Sequence, residues 1–160
     1  MSGHIISTAS DRPPLTIRID GSATETGTRD ILQQVTQWLT HNNQPGDIIS
    51  TVELVLAEAI NNIVEHAYAE TAERSVRKKP LWADLTLTSQ QLHVTLSDAG
   101  VPFPDETLPN GNLPDLNVAL DDLPEGGFGW FLIFSQTQSV RYHREAGKNS
   151  LSLGFKCGTE

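Results

Sequence analysis

The chain has 160 residues, of which 38% are apolar and 19% are charged. This length fits one domain with its own hydrophobic core, and the composition is too apolar for a disordered protein. The net charge is −9, from 11 basic and 20 acidic residues, so neither nucleic acid nor an anionic membrane surface is expected as a partner. A single cysteine, no signal peptide and no apolar stretch of membrane length together favour a cytoplasmic protein.

The first half of the chain predicts a strand followed by two helices. Residues 1–13 lack a pattern and are expected to form a flexible leader. Apolar and polar side chains alternate over residues 15–19, which is typical of a short strand. Apolar residues recur at helical spacing over 24–39 and, more strongly, over 47–68, so two amphipathic helices are predicted there.

The second half predicts four strands and a glycine-led helix. A charged connector at 71–80 precedes two strands at 81–88 and 92–97. The stretch 104–125 contains four prolines and no periodicity, which predicts a long loop, and loops of this length in compact domains are usually functional lids or disordered. A helix from Gly126 to about residue 136 leads to a closing hairpin with Gly147 in its turn.

Three polar residues follow one another at intervals of four on the second helix: Glu58, Asn62 and His66. On a helical wheel they border the apolar stripe, where a cleft would open between packed elements. A carboxylate there is suited to act as a base, and an amide oxygen is a hard ligand suited to Mg²⁺. The alternative is that the first two are solvated boundary residues and His66 is a satisfied core histidine.

The strand at 92–97 runs into Asp98, which has the same inward orientation as Leu92, Val94 and Leu96 because side chains alternate with period two. An inward carboxylate is costly unless it accepts hydrogen bonds. The amino group of a ligand is one possible donor, and Gly100 would let the backbone approach that ligand. A plain Asp-Ala-Gly turn remains the alternative.

Glycines at 126, 127 and 129 lead into an apolar helix. The free backbone N–H groups at such a helix start stabilise phosphate. A glycine run is weak evidence by itself, because the segment lacks the Lys-Ser/Thr of a P-loop and the spacing of the dinucleotide fingerprint.

In this order, the three segments resemble the ATP-binding boxes of the GHKL (histidine-kinase-like) ATPase superfamily, and within it most of all the anti-sigma factor serine/threonine kinases. The resemblance covers about residues 14–157, taken as one domain with its lid at about 104–125. It implies an α/β two-layer sandwich with helices on one face of a mixed, mostly antiparallel sheet. The matching segments are Glu58-Ala59-Ile60-Asn61-Asn62 with His66-Ala67-Tyr68, Asp98-Ala99-Gly100-Val101-Pro102-Phe103, Gly126-Gly127-Phe128-Gly129 with Leu132-Ile133, and the hairpin residues Val140-Arg141-Tyr142 and Gly147-Lys148-Asn149.

The resemblance also implies roles for individual residues. Glu58 would be the catalytic base, and Asn62 would hold Mg²⁺ against the phosphates of ATP. Asp98 would accept a hydrogen bond from the adenine amino group, with space beside it at Gly100. The phosphates would lie against the segment Gly127-Phe128-Gly129. The implied partners are a STAS-domain anti-sigma factor antagonist, which is phosphorylated, a sigma factor, and a second copy of the chain in a homodimer.

Two departures from the family pattern bear on catalysis. Glu125 stands where many members carry a basic residue, and no Lys or Arg occurs between Pro80 and Val140. Mg²⁺ and the helix amides could supply much of the positive charge that phosphoryl transfer needs, and Arg141 or the cluster at 74–79 could add to it. A nucleotide-dependent protein-binding module without phosphotransfer is therefore a second interpretation. A detached histidine-kinase catalytic domain is a third, and the lack of space for dimerisation helices argues against it.

Overall fold

The computed structural model describes residues 12–69, 79–109, 111 and 128–158. The helices and strands follow one another in the order that the sequence predicts, and the boundaries agree within a few residues. In chain order they are β1 (Leu15–Ser22), α1 (Glu25–His41), α2 (Gly46–His66), β2 (Pro80–Leu87), β3 (Gln91–Asp98), a 3₁₀ turn (Pro104–Glu106), α3 (Phe128–Gln136), β4 (Ser139–Glu145) and β5 (Lys148–Lys156).

The five strands form one sheet in the order β1-β2-β3-β5-β4. All four pairings between described strands are antiparallel, so the expected mixed sheet contains only antiparallel neighbours in this part of the chain. The register brings distant residues side by side: Leu81 pairs with Asp98, and Asp98 pairs with Asn149. These three residues form a row across β2, β3 and β5. At this row the apolar face of the sheet ends with two polar side chains, Asp98 and Asn149.

The helices cover one face of this sheet, which confirms the predicted two-layer α/β architecture. Inward side chains of β2, β3 and β5 alternate with outward ones and share a core with the buried stripes of α1 and α2. The opposite face is polar, with hydroxyl pairs such as Thr95 with Ser152, 3.2 Å apart, and Ser97 with Ser150, 3.3 Å apart. The apolar face of each strand thus determines where the helices pack.

Two turns differ in how well the sequence predicts them. The β4–β5 turn has positive φ at both Ala146 (50°) and Gly147 (76°), as a two-residue hairpin of matching twist requires. The predicted loop at 104–125 begins with a 3₁₀ turn that the sequence did not indicate, in which Asp105 has φ 56°. Residue 110 and residues 112–125 of that predicted lid lie outside the described residues.

Candidate nucleotide site

Helix α2 places Glu58 and Asn62 one turn apart at the edge of its buried stripe, and both side chains are half-buried. His66, one turn further, is exposed, and its ring centroid lies 6.1 Å from that of Phe103. The predicted polar row therefore exists. Only its first two members face the space between helices, so packing at the rim is the role that fits His66.

The start of α3 lies against these two side chains. A Cβ added to Gly129 would stand 2.7 Å from Glu58 Oε2 and 3.8 Å from Asn62 Nδ2, so a side chain at this position would displace the Glu58 carboxylate. Asn62 Nδ2 is buried and has no hydrogen-bond partner. A buried amide without a partner costs free energy that a bound ligand can recover. The structure thus brings the first and third predicted segments together.

The remaining residues of the glycine segment are less informative. Phe128 is the first residue of α3, and its side chain is 44% exposed. Gly126, Gly127 and Glu125 lie outside the described residues. The predicted phosphate-binding role of this helix start remains a prediction.

Asp98 ends β3 and is 3% exposed, as the period-two pattern predicts. Its Oδ1 accepts hydrogen bonds from Gly100 N at 2.9 Å and Asn149 Nδ2 at 2.8 Å. No described residue donates to Oδ2. Burial raises the pKa of Asp98 above the ordinary carboxyl value, while the bonds from Asn149 and Gly100 and the charge of Arg144 act in the opposite direction.

The turn after Asp98 is held from both sides. Tyr68 Oη accepts a hydrogen bond from Ala99 N at 2.8 Å and donates to the Pro80 carbonyl at 2.7 Å. Gly100 packs against the end of α2, where an added Cβ would stand 2.3 Å from the Ala67 carbonyl oxygen. Contact with α2 therefore explains the need for glycine at this position, and space for a ligand beside it remains a prediction.

An aromatic cluster joins the three segments. The ring centroid of Phe103 lies 5.6 Å from that of Trp130 on α3 and 5.0 Å from that of Tyr142 on β4, both in edge-to-face geometry. Together with the His66 ring, these contacts connect α2, the turn after Asp98, α3 and β4. The cluster therefore holds the turn after Asp98 against α2, α3 and β4.

The sequence predicts no site role for Arg144, or for Tyr142 and Asn149, which it places only in the matching hairpin segments. Arg144 Nη1 donates to the Gly100 carbonyl at 2.6 Å and to Asn149 Oδ1 at 3.0 Å. Tyr142 Oη donates to the same Asn149 Oδ1 at 2.6 Å. The alternation of side chains along β4 predicts that Tyr142 and Arg144 share one face of the strand. Only the strand register places that face beside Asp98.

Of the two sources of positive charge that the sequence suggests near the phosphates, Arg141 does not fit this register. Arg141 pairs with Ser152 on the polar outer face of the sheet and is exposed, whereas Tyr142 pairs with the buried Leu151. Because side chains alternate along a strand, Arg141 points away from the helix layer.

A groove of about 660 Å³ runs between α1 and α2 on the other side of Glu58. Two cations line it, Arg29 from α1 and Lys79 from the end of the charged connector. Residues 74–78 of that connector lie outside the described part of the chain. Arg29 is also paired with Glu25 at 2.7 Å. Within the described residues, these two cations therefore share a groove with Glu58.

The residues at the α2 edge fit a magnesium ion that is shared with a phosphate ligand. Glu58 and Asn62 offer carboxylate and amide oxygens, which Mg²⁺ prefers, and Mg²⁺ usually takes only one or two protein ligands with phosphate and water. Among the residues that the structure describes, no group of three or more His, Cys, Asp or Glu side chains is arranged to hold a metal by itself. The site therefore suits a metal–nucleotide complex better than a free metal.

Comparison with known proteins agrees with this geometry. Residues 21–155 match the family model described as a histidine kinase-like ATPase domain. The chain is 31% identical over 102 residues to the serine-protein kinase RsbW of Staphylococcus aureus, covering 63% of this chain and 62% of that protein. It is 29% identical over 110 residues to the RsbW of Bacillus mycoides, covering 68% and 65%. The chain thus spans less than two thirds of the length of these curated relatives.

A solved structure supports the fold. The crystal structure of the RsbU and RsbW domains of a Mycobacterium tuberculosis protein superposes with a TM-score of 0.61 and 18% identity, covering 93% of this chain and 34% of that one. In addition, no helix within the described ranges has both the length and the apolar character needed to cross a membrane.

Proposed function

Because this chain belongs to the histidine kinase-like ATPase domain family, we propose that it binds ATP with Mg²⁺ and transfers the γ-phosphoryl group to a serine or threonine of a partner protein. The observation that carries this proposal is the contact between Gly129 at the start of α3 and the Glu58 and Asn62 side chains of α2. A helix start that binds phosphate next to a carboxylate and an amide is what phosphoryl transfer requires.

In this proposal the adenine and phosphate ends of the nucleotide are bound by different elements. Asp98 Oδ2, to which no described residue donates, accepts a hydrogen bond from the adenine amino group. The amides of Gly127 and Gly129, with Phe128 between them, bind the phosphates. Asn62 and the phosphates hold Mg²⁺, which when bound neutralises phosphate charge.

Glu58 is the base in the transfer step. Its carboxylate takes the proton of the incoming hydroxyl while the hydroxyl oxygen bonds to the γ-phosphorus. The bond from that phosphorus to the bridging oxygen breaks, and ADP leaves. General-base catalysis of this kind contributes typically ~10²–10⁴ in rate. Because Glu58 also borders the groove between α1 and α2, a hydroxyl can reach it from the protein surface.

We further propose that the acceptor is a STAS-domain anti-sigma factor antagonist and that the chain binds a sigma factor when this antagonist is phosphorylated. The curated relatives are named serine-protein kinases, which favours a hydroxyl acceptor over a histidine. A homodimer and a cytoplasmic location remain part of this proposal.

A second function, nucleotide-dependent binding of a partner without transfer, is favoured by one observation. No Lys or Arg occurs between residues 80 and 140, and Arg141 lies on the outer face of the sheet. Charge neutralisation at the γ-phosphate then depends on Mg²⁺ and on the groove cations Lys79 and Arg29.

One experiment separates the two functions. The chain, γ-labelled ATP, Mg²⁺ and the STAS protein encoded nearest to it are mixed, and label on the STAS protein is followed with time. Glu58→Gln should keep ATP affinity and lose ~10²–10⁴ in transfer rate. The matched control is Glu53→Gln, an exposed glutamate on the same helix, which should transfer like the parent. Absence of label with a parent that binds ATP supports the binding module, and equal label in Glu58→Gln removes Glu58 as the base.

A further inference from the structure

The side-chain amide of Asn149 is 5% exposed and forms hydrogen bonds at both of its ends. Its Nδ2 donates to Asp98 Oδ1 at 2.8 Å and to the Val101 carbonyl at 2.9 Å. Its Oδ1 accepts from Tyr142 Oη at 2.6 Å and from Arg144 Nη1 at 3.0 Å. One buried amide therefore connects β4, β5 and the turn that follows β3.

The orientation of this amide is determined by its neighbours. A guanidinium group can only donate, so the amide atom that faces Arg144 must be the oxygen. Tyr142 Oη accepts from Phe103 N at 3.2 Å, which leaves its own proton for the same Asn149 oxygen. The amide nitrogen is thereby forced toward Asp98, and the opposite orientation would put two oxygens against each other.

This orientation decides which oxygen of Asp98 is available. Oδ1 already accepts from Asn149 Nδ2 and Gly100 N, and both donors are backbone or buried groups that cannot turn away. Arg144 also binds the Gly100 carbonyl at 2.6 Å, which holds the turn in place. Oδ2 is thus presented in one direction, as an acceptor only.

We propose that Asn149, with Tyr142 and Arg144, is a positioning unit that directs Asp98 Oδ2 at the 6-amino group of the base and so makes the site selective for adenine. The inference rests on the proposed ATP binding. Adenine carries a donor at this position and guanine carries an acceptor. An oxygen fixed as an acceptor binds the first and repels the second.

The electrostatics of Asp98 support this role. Burial raises the pKa of Asp98, and the hydrogen bond from Asn149 and the charge of Arg144 counteract that effect. Without the network, the carboxyl group would rotate and hold a proton more easily, and a protonated carboxyl can donate to a base that carries an oxygen. Loss of the network should therefore reduce the preference for a base with the amino group over a base without it more than it reduces the affinity for the nucleotide.

The test compares two ligands that differ only in this amino group: ATP and purine riboside triphosphate. Their dissociation constants are measured by calorimetry with Mg²⁺ for the parent, Asn149→Ala and Tyr142→Phe. A hydrogen bond to a charged acceptor corresponds to roughly 10- to 150-fold in affinity, which is the expected ratio for the parent. Asn149→Ala should bring this ratio close to one, and Tyr142→Phe, which loses only a hydroxyl, should reduce it several-fold.

The matched control is Ser150→Ala. Ser150 is next to Asn149 in the chain but lies on the outer face, where its hydroxyl is 3.3 Å from that of Ser97. This variant should keep the parent's ratio. If Asn149→Ala does not fold, as thermal unfolding will reveal, Tyr142→Phe still gives the ratio.

The possible failures are distinct. If the variants bind both ligands more weakly by the same factor, the network is only structural and the inference is wrong. If they keep the parent's affinity for both ligands, Asp98 is positioned by other groups and the inference is wrong as well. If the parent binds neither nucleotide, the proposed function itself fails, and adenine selectivity fails with it.

Discussion

The substitution Asp98→Asn separates ligand recognition from folding. It keeps the shape of a side chain that is 3% exposed and removes its charge. Since Oδ1 accepts from Asn149 and Gly100, at 2.8 and 2.9 Å, the amide oxygen of the variant takes this position. The amide nitrogen then takes the position of Oδ2. The atom that meets the base changes from an acceptor into a donor.

The expected loss of affinity follows from this exchange. A hydrogen bond to a charged group is worth about 1.5–3 kcal/mol, so ATP affinity should fall by roughly 10- to 150-fold. Two donors facing each other put the result toward the upper end of that range. Affinity for purine riboside triphosphate, which has no amino group, should change much less.

The stability of the protein without ligand should change in the opposite direction. Burial raises the pKa of Asp98, so the folded state binds the proton more tightly than the unfolded state. The parent therefore loses free energy of unfolding as the pH rises from the ordinary carboxyl value of about 4 to the raised value. The amide does not titrate, so the variant should equal or exceed the parent in stability at neutral pH.

Calorimetry with ATP and thermal unfolding at several pH values from about 4 to 8 test both parts. The control is Asp84→Asn, which removes an exposed carboxylate paired with Arg18 at 3.0 Å on the outer face of the sheet. This control should keep the parent's ATP affinity. Unchanged ATP affinity in Asp98→Asn would refute the adenine assignment. A variant that is less stable than the parent at neutral pH would refute the argument from burial.

Three further substitutions test the other contacts of the site. Asn62→Ala should abolish the gain in ATP affinity that Mg²⁺ gives the parent; titrations with and without Mg²⁺ decide it, and an intact gain counts against a metal ligand at this position. Gly129→Ala should leave the melting temperature nearly unchanged, since only the flexible end of Glu58 lies 2.7 Å from the new methyl group, but label transfer should fall as that carboxylate is displaced. Gly100→Ala should lower the free energy of unfolding by about 1–3 kcal/mol, because its methyl group meets the Ala67 carbonyl of the backbone at 2.3 Å; a denaturant titration without such a loss would contradict the packing argument.

The fold was predictable where one segment carries its own pattern. The apolar spacing at 47–68 predicts a helix, and α2 extends over Gly46–His66, because the buried side of a helix must recur every three to four residues. Alternation in the closing hairpin was equally informative, and Gly147 lies in its turn with positive φ. Which strands pair is a property of two segments at once. The antiparallel pairing of Asp98 with Asn149, 51 residues apart, therefore had no local signal.

The same distinction explains the error at Arg141. Arg141 lies within a segment that matches the family motif. The side chains of a strand point alternately to its two faces, and only the register determines which face packs against the helices. Arg144, three residues later, faces inward and is held by the Gly100 carbonyl and Asn149. Arg144 therefore stabilises the turn after Asp98, which is the proposed adenine end of the site, and its guanidinium group is already bound there. Any protein cation for the transferred phosphoryl group must then come from outside β4.

Within the described residues, Lys79 and Arg29 are the cations that share a groove with Glu58. Since Arg29 is already paired with Glu25, Lys79 is the better placed of the two to meet an incoming negative charge.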